Sequence, residues 1–398
     1  MNNRPNAKKS VLMIAYTNYR TDPRVIREAE AAVSGGFDVD FIALQRDKDP
    51  AQEWINGVRV IHLNQFRYRG GGVIRYMLSY LEFFLRCFFK TTWLQLEKRY
   101  RIVHVNNMPD FFVFCALLPK LMGAKILLDI HDPMSNTFAS KFKGGENGFF
   151  FKVLLWVERI STFFADQVLT VHDPVKDYIL VRQHGLASDS IQVIANFADD
   201  ELFALQDPVK FDGRLRLVFH GSILERYGLR NAMLALAKMR HQDSITVKII
   251  GEGDFSEPLK EIIVSLALGG IVHFENRMYP LHEIPQMLTG YNLGLVPLEI
   301  SSITEYALPL KLLEYISLGM PSVTVRNAAI GYYFGEDDCL FYDPDDPESL
   351  SAVLDQLIEN PDLLYAYQQR AVILREKFLW SHEKQKYINL LLKLTNSS

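Results

Sequence analysis

Leu308-Pro309-Leu310-Lys311-Leu312-Leu313-Glu314-Tyr315-Ile316-Ser317-Leu318-Gly319-Met320-Pro321 reads as a loop, one short helix and a stop. Pro309 suits a helix start because the N–H it lacks is one that a first turn leaves unpaired, and Gly319 before Pro321 ends the run. Lys311, Glu314 and Tyr315 are three and four apart and share one face, while Leu312, Leu313, Ile316 and Leu318 supply a buried side. The polar face therefore carries a cation, a carboxylate and the positive end of a helix dipole toward the loops before it. A phosphate-bearing ligand with a hydroxylated sugar ring fits such a surface. An amphipathic core helix with a surface glutamate fits the same spacing.

Working outward, apolar strand-like runs alternate with helical ones on both sides of this helix. In the second half, strands are expected at 214–220, 245–250, 272–274, 293–297 and 322–325, with helices at 229–240 and 281–288 between them. The loop Gly221-Ser222-Ile223-Leu224-Glu225-Arg226-Tyr227-Gly228 is bounded by glycines, which let backbone approach an anion, and it precedes a helix start. Gly251-Glu252-Gly253 is a lone G-x-G whose value comes from its place in the series. In the first half, the strand 10–16, the helix opened by Asp22-Pro23 and ending near Gly35-Gly36, and the strand 37–44 make a βαβ unit. Strands at 102–105, 124–128, 167–171 and 189–195 continue it, with a helical run at 110–122. The strand 124–128 leads into Asp129-Ile130-His131-Asp132-Pro133, and strand ends are where open α/β sheets bind ligands. Pro208, Asp212 and Gly213 mark a linker between two α/β halves.

A chain of 398 residues allows two or three domains. Hydrophobic residues at 48% and charged ones at 23% are ordinary globular composition, and a net charge of -4 argues against a nucleic-acid partner. Cys87, Cys115 and Cys339 are scattered in or beside apolar sequence, which suits a reducing cytoplasm and neither a disulfide framework nor a zinc site. Lys8 and Lys9 precede an apolar run too short for a signal peptide. Over 75–96 the polar residues Arg75, Ser79, Glu82, Arg86 and Lys90 form one stripe on an otherwise Phe-, Leu- and Trp-rich helix. Its charges recur too often for a membrane span, and it suits either a core helix or one lying at a membrane surface. Asp343-Pro344-Asp345-Asp346-Pro347 reads as a helix cap and not a metal site.

Four strings, L-P-x-K-L-x-E-Y-x-x-x-G-x-P, H-G-x-x-x-E-R-Y-G, D-P-R-V-x-R-E-A and V-I-x-N-x-x-D-x-x-x-F, resemble glycosyltransferase family 4, the large retaining family with the GT-B fold. The resemblance implies two Rossmann-like α/β domains facing across a cleft, with a C-terminal helix crossing back. It places an acceptor-side domain at 1–205, a nucleotide-sugar domain at 206–375 and the returning helix at 376–398. By the same resemblance Glu314 holds the ribose hydroxyls, Arg226 and Lys311 neutralise the donor diphosphate beside Gly221 and Leu310, and Arg277 lies near the base. His131 lies beside the transferred sugar, with Asp132 next to it. A second glutamate, eight positions before the first in many members, falls here on Tyr306, with Glu305 one place away.

The activity that this resemblance implies is hexosyl transfer from a nucleotide-diphosphate-sugar donor to a glycan or polyprenyl-linked saccharide, in cell-surface polysaccharide assembly. No metal or further cofactor is expected, since protein cations and a helix dipole meet the leaving charge. The expected location is the cytoplasm, at the inner face of the cell membrane. A GT-B nucleotide-sugar epimerase or sugar-phosphate synthase, and a non-catalytic membrane-surface binding protein of the same fold, are the other readings. A dehydrogenase is disfavoured because no complete G-x-G-x-x-G follows the first strand.

Overall fold

A computed structural model describes residues 9–46, 49–65, 73–135, 148–301 and 304–396. The chain divides into two compact units, Met1–Asn196 with His382–Ser398, and Phe197–Ser381. Each is a largely parallel sheet with helices, the two-Rossmann architecture of GT-B proteins.

The first unit holds eight strands: β1 Ser10–Ile14, β2 Asp38–Leu44, β3 Gln52–Ile55, β4 Val58–Leu63, β5 Ile102–Asn106, β6 Lys125–Ile130, β7 Gln167–Thr170 and β8 Ile191–Val193. Their order is β3-β4-β2-β1-β5-β6-β7-β8. All pairs are parallel except β3 with β4, an edge hairpin turned by Asn56 and Gly57, both at positive φ. Val11, Leu12, Met13 and Ile14 are fully buried, as expected of a central strand covered on both faces. The helix Trp380–Asn396 spans the end of the chain. Within the first unit its Tyr387 is fully buried, and Glu383 accepts the Ala195 N–H at 2.8 Å.

The helix Val73–Lys98 packs only one side inward. Phe83, Cys87, Thr91 and Leu94 are buried, whereas Leu85, Phe89, Trp93 and Leu96 are exposed, Phe89 by 68% and Trp93 by 55%. It is a core helix on one face only.

The second unit holds six strands: β9 Leu215–His220, β10 Ile245–Ile250, β11 Val272–Glu275, β12 Leu293–Val296, β13 Ser322–Val325 and β14 Leu340–Tyr342. They run parallel in the order β11-β10-β9-β12-β13-β14. The lone G-x-G has a packing cause. A Cβ on Gly251 would sit 1.8 Å from the Gly221 carbonyl oxygen, and one on Gly253 would sit 2.2 Å from that of Ile223. Only glycine lets the β10 exit lie this close to the β9 exit. The acidic loop is a helix cap, with the Asp346 side chain accepting from the Glu348 and Ser349 N–H groups.

Candidate functional site

In the second unit the helix Leu310–Ser317 stands against the carboxyl end of β9. Tyr315 fixes it there: its hydroxyl donates to the Val218 carbonyl at 2.9 Å, and its ring meets the His220 ring edge-on at 5.3 Å. One residue back, Glu314 places Oε2 3.1 Å from His220 Nε2, with both residues nearly buried. Four residues back, Lys311 extends its ammonium over the Phe219 ring at 3.6 Å and the Tyr227 ring at 4.7 Å. Burial pushes Lys311 down to about 7, against the opposing pull of the Glu314 charge. Among the described residues the ammonium makes no ion pair, and Glu314 only partly offsets the effect of burial.

Gly221 turns the chain at φ +109, and a Cβ there would lie 3.7 Å from Lys311 Nζ. Any other residue would be strained in this backbone conformation, and its Cβ would lie in contact with the ammonium. Arg226 is exposed and shares the Tyr227 ring with Lys311, its guanidinium carbon 5.3 Å from the centroid. Gly221, Arg226, Leu310, Lys311 and Glu314 therefore form one neighbourhood. Arg277 does not join it by direct contact: it follows β11, two strands out from β9, and stacks at 4.7 Å on Tyr279. Glu305 is half-buried in the turn before the helix, its N–H donating to Ser301 and its carbonyl accepting from Ala328.

In the first unit His131 follows β6, and its backbone N–H donates to Asn107 Oδ1 at 3.0 Å. The Asn107 amide group donates to Asp110 Oδ1 at 2.9 Å and to the Asp132 carbonyl at 2.8 Å. The Asp132 residue itself is exposed. Ser135, His184 and Glu158 make a fully buried hydrogen-bonded chain that pins the same loop further on. The His131 ring is buried with Nδ1 3.3 Å from Asp129 Oδ1. Burial, and then the Arg24 charge, push His131 well below its ordinary range, against the opposing pull of the Asp129 charge.

Behind Asp129 lies His104, whose Nε2 is 3.8 Å from Asp129 Oδ2 and 4.0 Å from Glu28 Oε2. Its Nδ1 is 2.7 Å from the Tyr387 hydroxyl. Among the described residues Glu28, His104 and Asp129 are the one group close enough to surround a cation. A shared proton accounts for that closeness as well. Burial, and then the neighbouring Asp129 charge, push the Glu28 carboxyl well up, so Glu28 keeps its proton beside an ionised Asp129. Burial by itself would raise Asp129 too, but the flanking His131 and His104 hold it low.

Sequence reading missed His220, His104 and Tyr387 as members of these groups. His220 had a signal, as the polar end of a strand directly before Gly221. His104 and Tyr387 meet across 283 positions and had none.

The profile described as Glycosyltransferase Family 4 matches residues 24–202, and that of Glycosyl transferases group 1 matches 202–372. The fold is similar to a solved sucrose-phosphate synthase from Thermosynechococcus elongatus, with 16% identity, TM-score 0.78, and coverage of 98% of this chain and 100% of that one. It is similar to Anabaena HepE solved in complex with UDP and glucose, at 14% identity, TM-score 0.71, and coverage of 97% and 100%. WaaG, a glycosyltransferase involved in lipopolysaccharide biosynthesis, matches at 14% identity, TM-score 0.69, and coverage of 96% and 99%.

Proposed function

The chain belongs to glycosyltransferase family 4, and from that premise we propose that it moves a hexose from a nucleotide-diphosphate-sugar onto a glycan or polyprenyl-linked saccharide, with retention at the anomeric carbon. The observation that carries the reading is the Lys311 ammonium, enclosed by aromatic rings beside Gly221 and one helical turn from Glu314. A half-buried cation with no ion pair among the described residues gains most from a ligand that brings an anion. A diphosphate supplies that charge, and Glu314 is the nearby acceptor for ribose hydroxyls.

The chemical difficulty is departure of a nucleoside diphosphate from the anomeric carbon, which leaves oxocarbenium character behind. Lys311, Arg226 and the start of the helix Leu310–Ser317 stabilise the departing charge, so protein groups can do this without a metal. The leaving phosphate then takes the acceptor's proton. Solved relatives carry UDP with glucose, or act in lipopolysaccharide biosynthesis, which supports a nucleotide-sugar donor and a surface-glycan acceptor for this chain.

We also assign the helix Val73–Lys98 to peripheral contact with the inner face of a membrane. No helix among the described residues is long and apolar enough to cross one. The exposed Leu85, Phe89, Trp93 and Leu96, with Lys90 over the Trp93 ring at 4.6 Å, suit an interfacial position.

The test is transfer from radiolabelled UDP- and GDP-hexoses to isolated lipid-linked saccharides, with hydrolysis followed in parallel. Turnover that falls in Glu314→Ala supports the reading. Absence of both nucleotide-sugar binding and turnover across the panel sinks it.

A further inference from the structure

Arg226 and Lys311 make no ion pair among the described residues, yet both lie over one ring. Lys311 Nζ is 4.7 Å and the Arg226 guanidinium carbon 5.3 Å from the Tyr227 centroid. The carboxylates on the same turn and helix are engaged elsewhere: Glu225 meets Arg230 at 3.4 Å, and Glu314 meets His220 at 3.1 Å. The ring itself is fixed. It ends the turn Glu225–Tyr227, in which the Tyr227 N–H donates to the Leu224 carbonyl at 3.0 Å and the Arg226 carbonyl accepts from the Glu299 N–H at 3.0 Å. Gly228 follows at φ +64, where a Cβ would stand 3.0 Å from the Leu298 nitrogen, so the turn is pressed against the segment after β12. The Tyr227 ring is half-buried against the core of the second unit, and among the described residues its hydroxyl makes no hydrogen bond.

We propose that Tyr227 is a positioning residue whose ring keeps the Arg226 and Lys311 charges together, so that one diphosphate meets both at once. The face of a phenol ring is negative and attracts cations without neutralising them. A carboxylate in that place would also gather two cations, but it would cancel the charge that the ligand has to find and would repel the ligand itself. An aliphatic side chain would gather neither. With the ring, two like charges are held near each other until a bound anion replaces their repulsion with attraction. Phe219 is fully buried with Lys311 Nζ 3.6 Å from its centroid, and of the two cations it holds the lysine alone. The diphosphate rests on the glycosyl-transfer reading above, whereas the ring's hold on the two cations does not.

The experiment compares three forms of the full chain: unaltered, Tyr227→Phe, and one with ring-pentafluorinated phenylalanine at position 227, which keeps the shape of a phenyl ring but takes away its negative face. Lys311 is followed by carbon NMR of protein labelled at lysine Cε, with Lys311→Met assigning the resonance. Unaltered protein and Tyr227→Phe are expected to titrate together, and the fluorinated form about half a pH unit lower, because less attraction holds the ammonium proton. Calorimetry with inorganic pyrophosphate is expected to give affinities within about twofold for the first two and about five- to tenfold weaker for the fluorinated form. Arg226→Ala should cost about tenfold in pyrophosphate affinity with the phenyl ring in place and under about threefold with the fluorinated one, a coupling that mere support of the loop does not produce. Tyr227→Leu serves where the fluorinated chain does not fold, with the same directions expected. An unchanged Lys311 titration in the fluorinated form, affinity that falls as far in Tyr227→Phe, or additive losses with Arg226→Ala overturns the proposal. The expected titration without binding of pyrophosphate or of UDP and GDP overturns the diphosphate reading and leaves the ring's hold on Lys311 in place.

Discussion

The second unit holds a lysine with no ion pair among the described residues, whereas the first packs two carboxylates and two imidazoles against one another. Lys311 lies against two aromatic rings, and its principal anion, Glu314, stands close to His220. His131 sits among Arg24, Glu28, His104 and Asp129, whose charges shift one another's titration. On the proposed reading the Lys311 group binds a ligand that supplies the missing charge, and its affinity then depends on pH and salt.

Removing the waiting cation tests that contrast most severely. Lys311→Met keeps the stem over Phe219 and Tyr227 but deletes the charge, and transfer should fall by about 100-fold or more, as for loss of one donor aimed at a developing anion. A loss under threefold would remove Lys311 from the chemistry. Glu314→Ala should weaken UDP or GDP binding by about 10- to 100-fold, the effect of losing hydrogen bonds to a charged acceptor, measured by calorimetry. Inorganic pyrophosphate, which has no ribose, should bind that variant almost as well as the unaltered protein.

The pH dependence sharpens the comparison. Lys311 has been pushed down to about 7 in the free protein, and a bound diphosphate raises it by bringing negative charge. Binding therefore takes up a proton above pH 7, and affinity should fall by up to about tenfold per pH unit as pH rises from 7 toward 9. Affinity that is flat over that interval would mean Lys311 is already held protonated. The smallest effect is expected at the exposed helix face. Phe89→Ser should lower partition onto anionic vesicles about threefold, with transfer to a soluble acceptor unchanged.

The range of each interaction decides how much of it was legible in the sequence. The helix Leu310–Ser317 was readable because Pro309, the Lys311–Glu314–Tyr315 spacing and Gly319 are local signals, and the Asp346 cap was readable for the same reason. The β3–β4 hairpin turned by Asn56 and Gly57 was not among the strands expected from the sequence. The pairing of Glu314 with His220 was hidden, because a strand end and a helix far along the chain meet through tertiary contacts such as the Tyr315–Val218 bond. The same holds for His104 and Tyr387. The G-x-G at Gly251 looked like a weak ligand signal and proved to be a packing requirement, since the contact it permits is with backbone brought in by another strand. The two-sided character of the helix Val73–Lys98 was visible as a polar stripe, but which apolar residues remained outside depended on the neighbours it met.

The central claim is that Lys311 receives a nucleoside diphosphate and gains a proton with it. Calorimetric titration of UDP and GDP into the full chain at about pH 7.5, in two buffers of different ionisation enthalpy, measures this directly. Binding of at least one of the two with net proton uptake, absent in Lys311→Met, is the predicted result. Binding without proton uptake, or uptake that persists in Lys311→Met, contradicts the account.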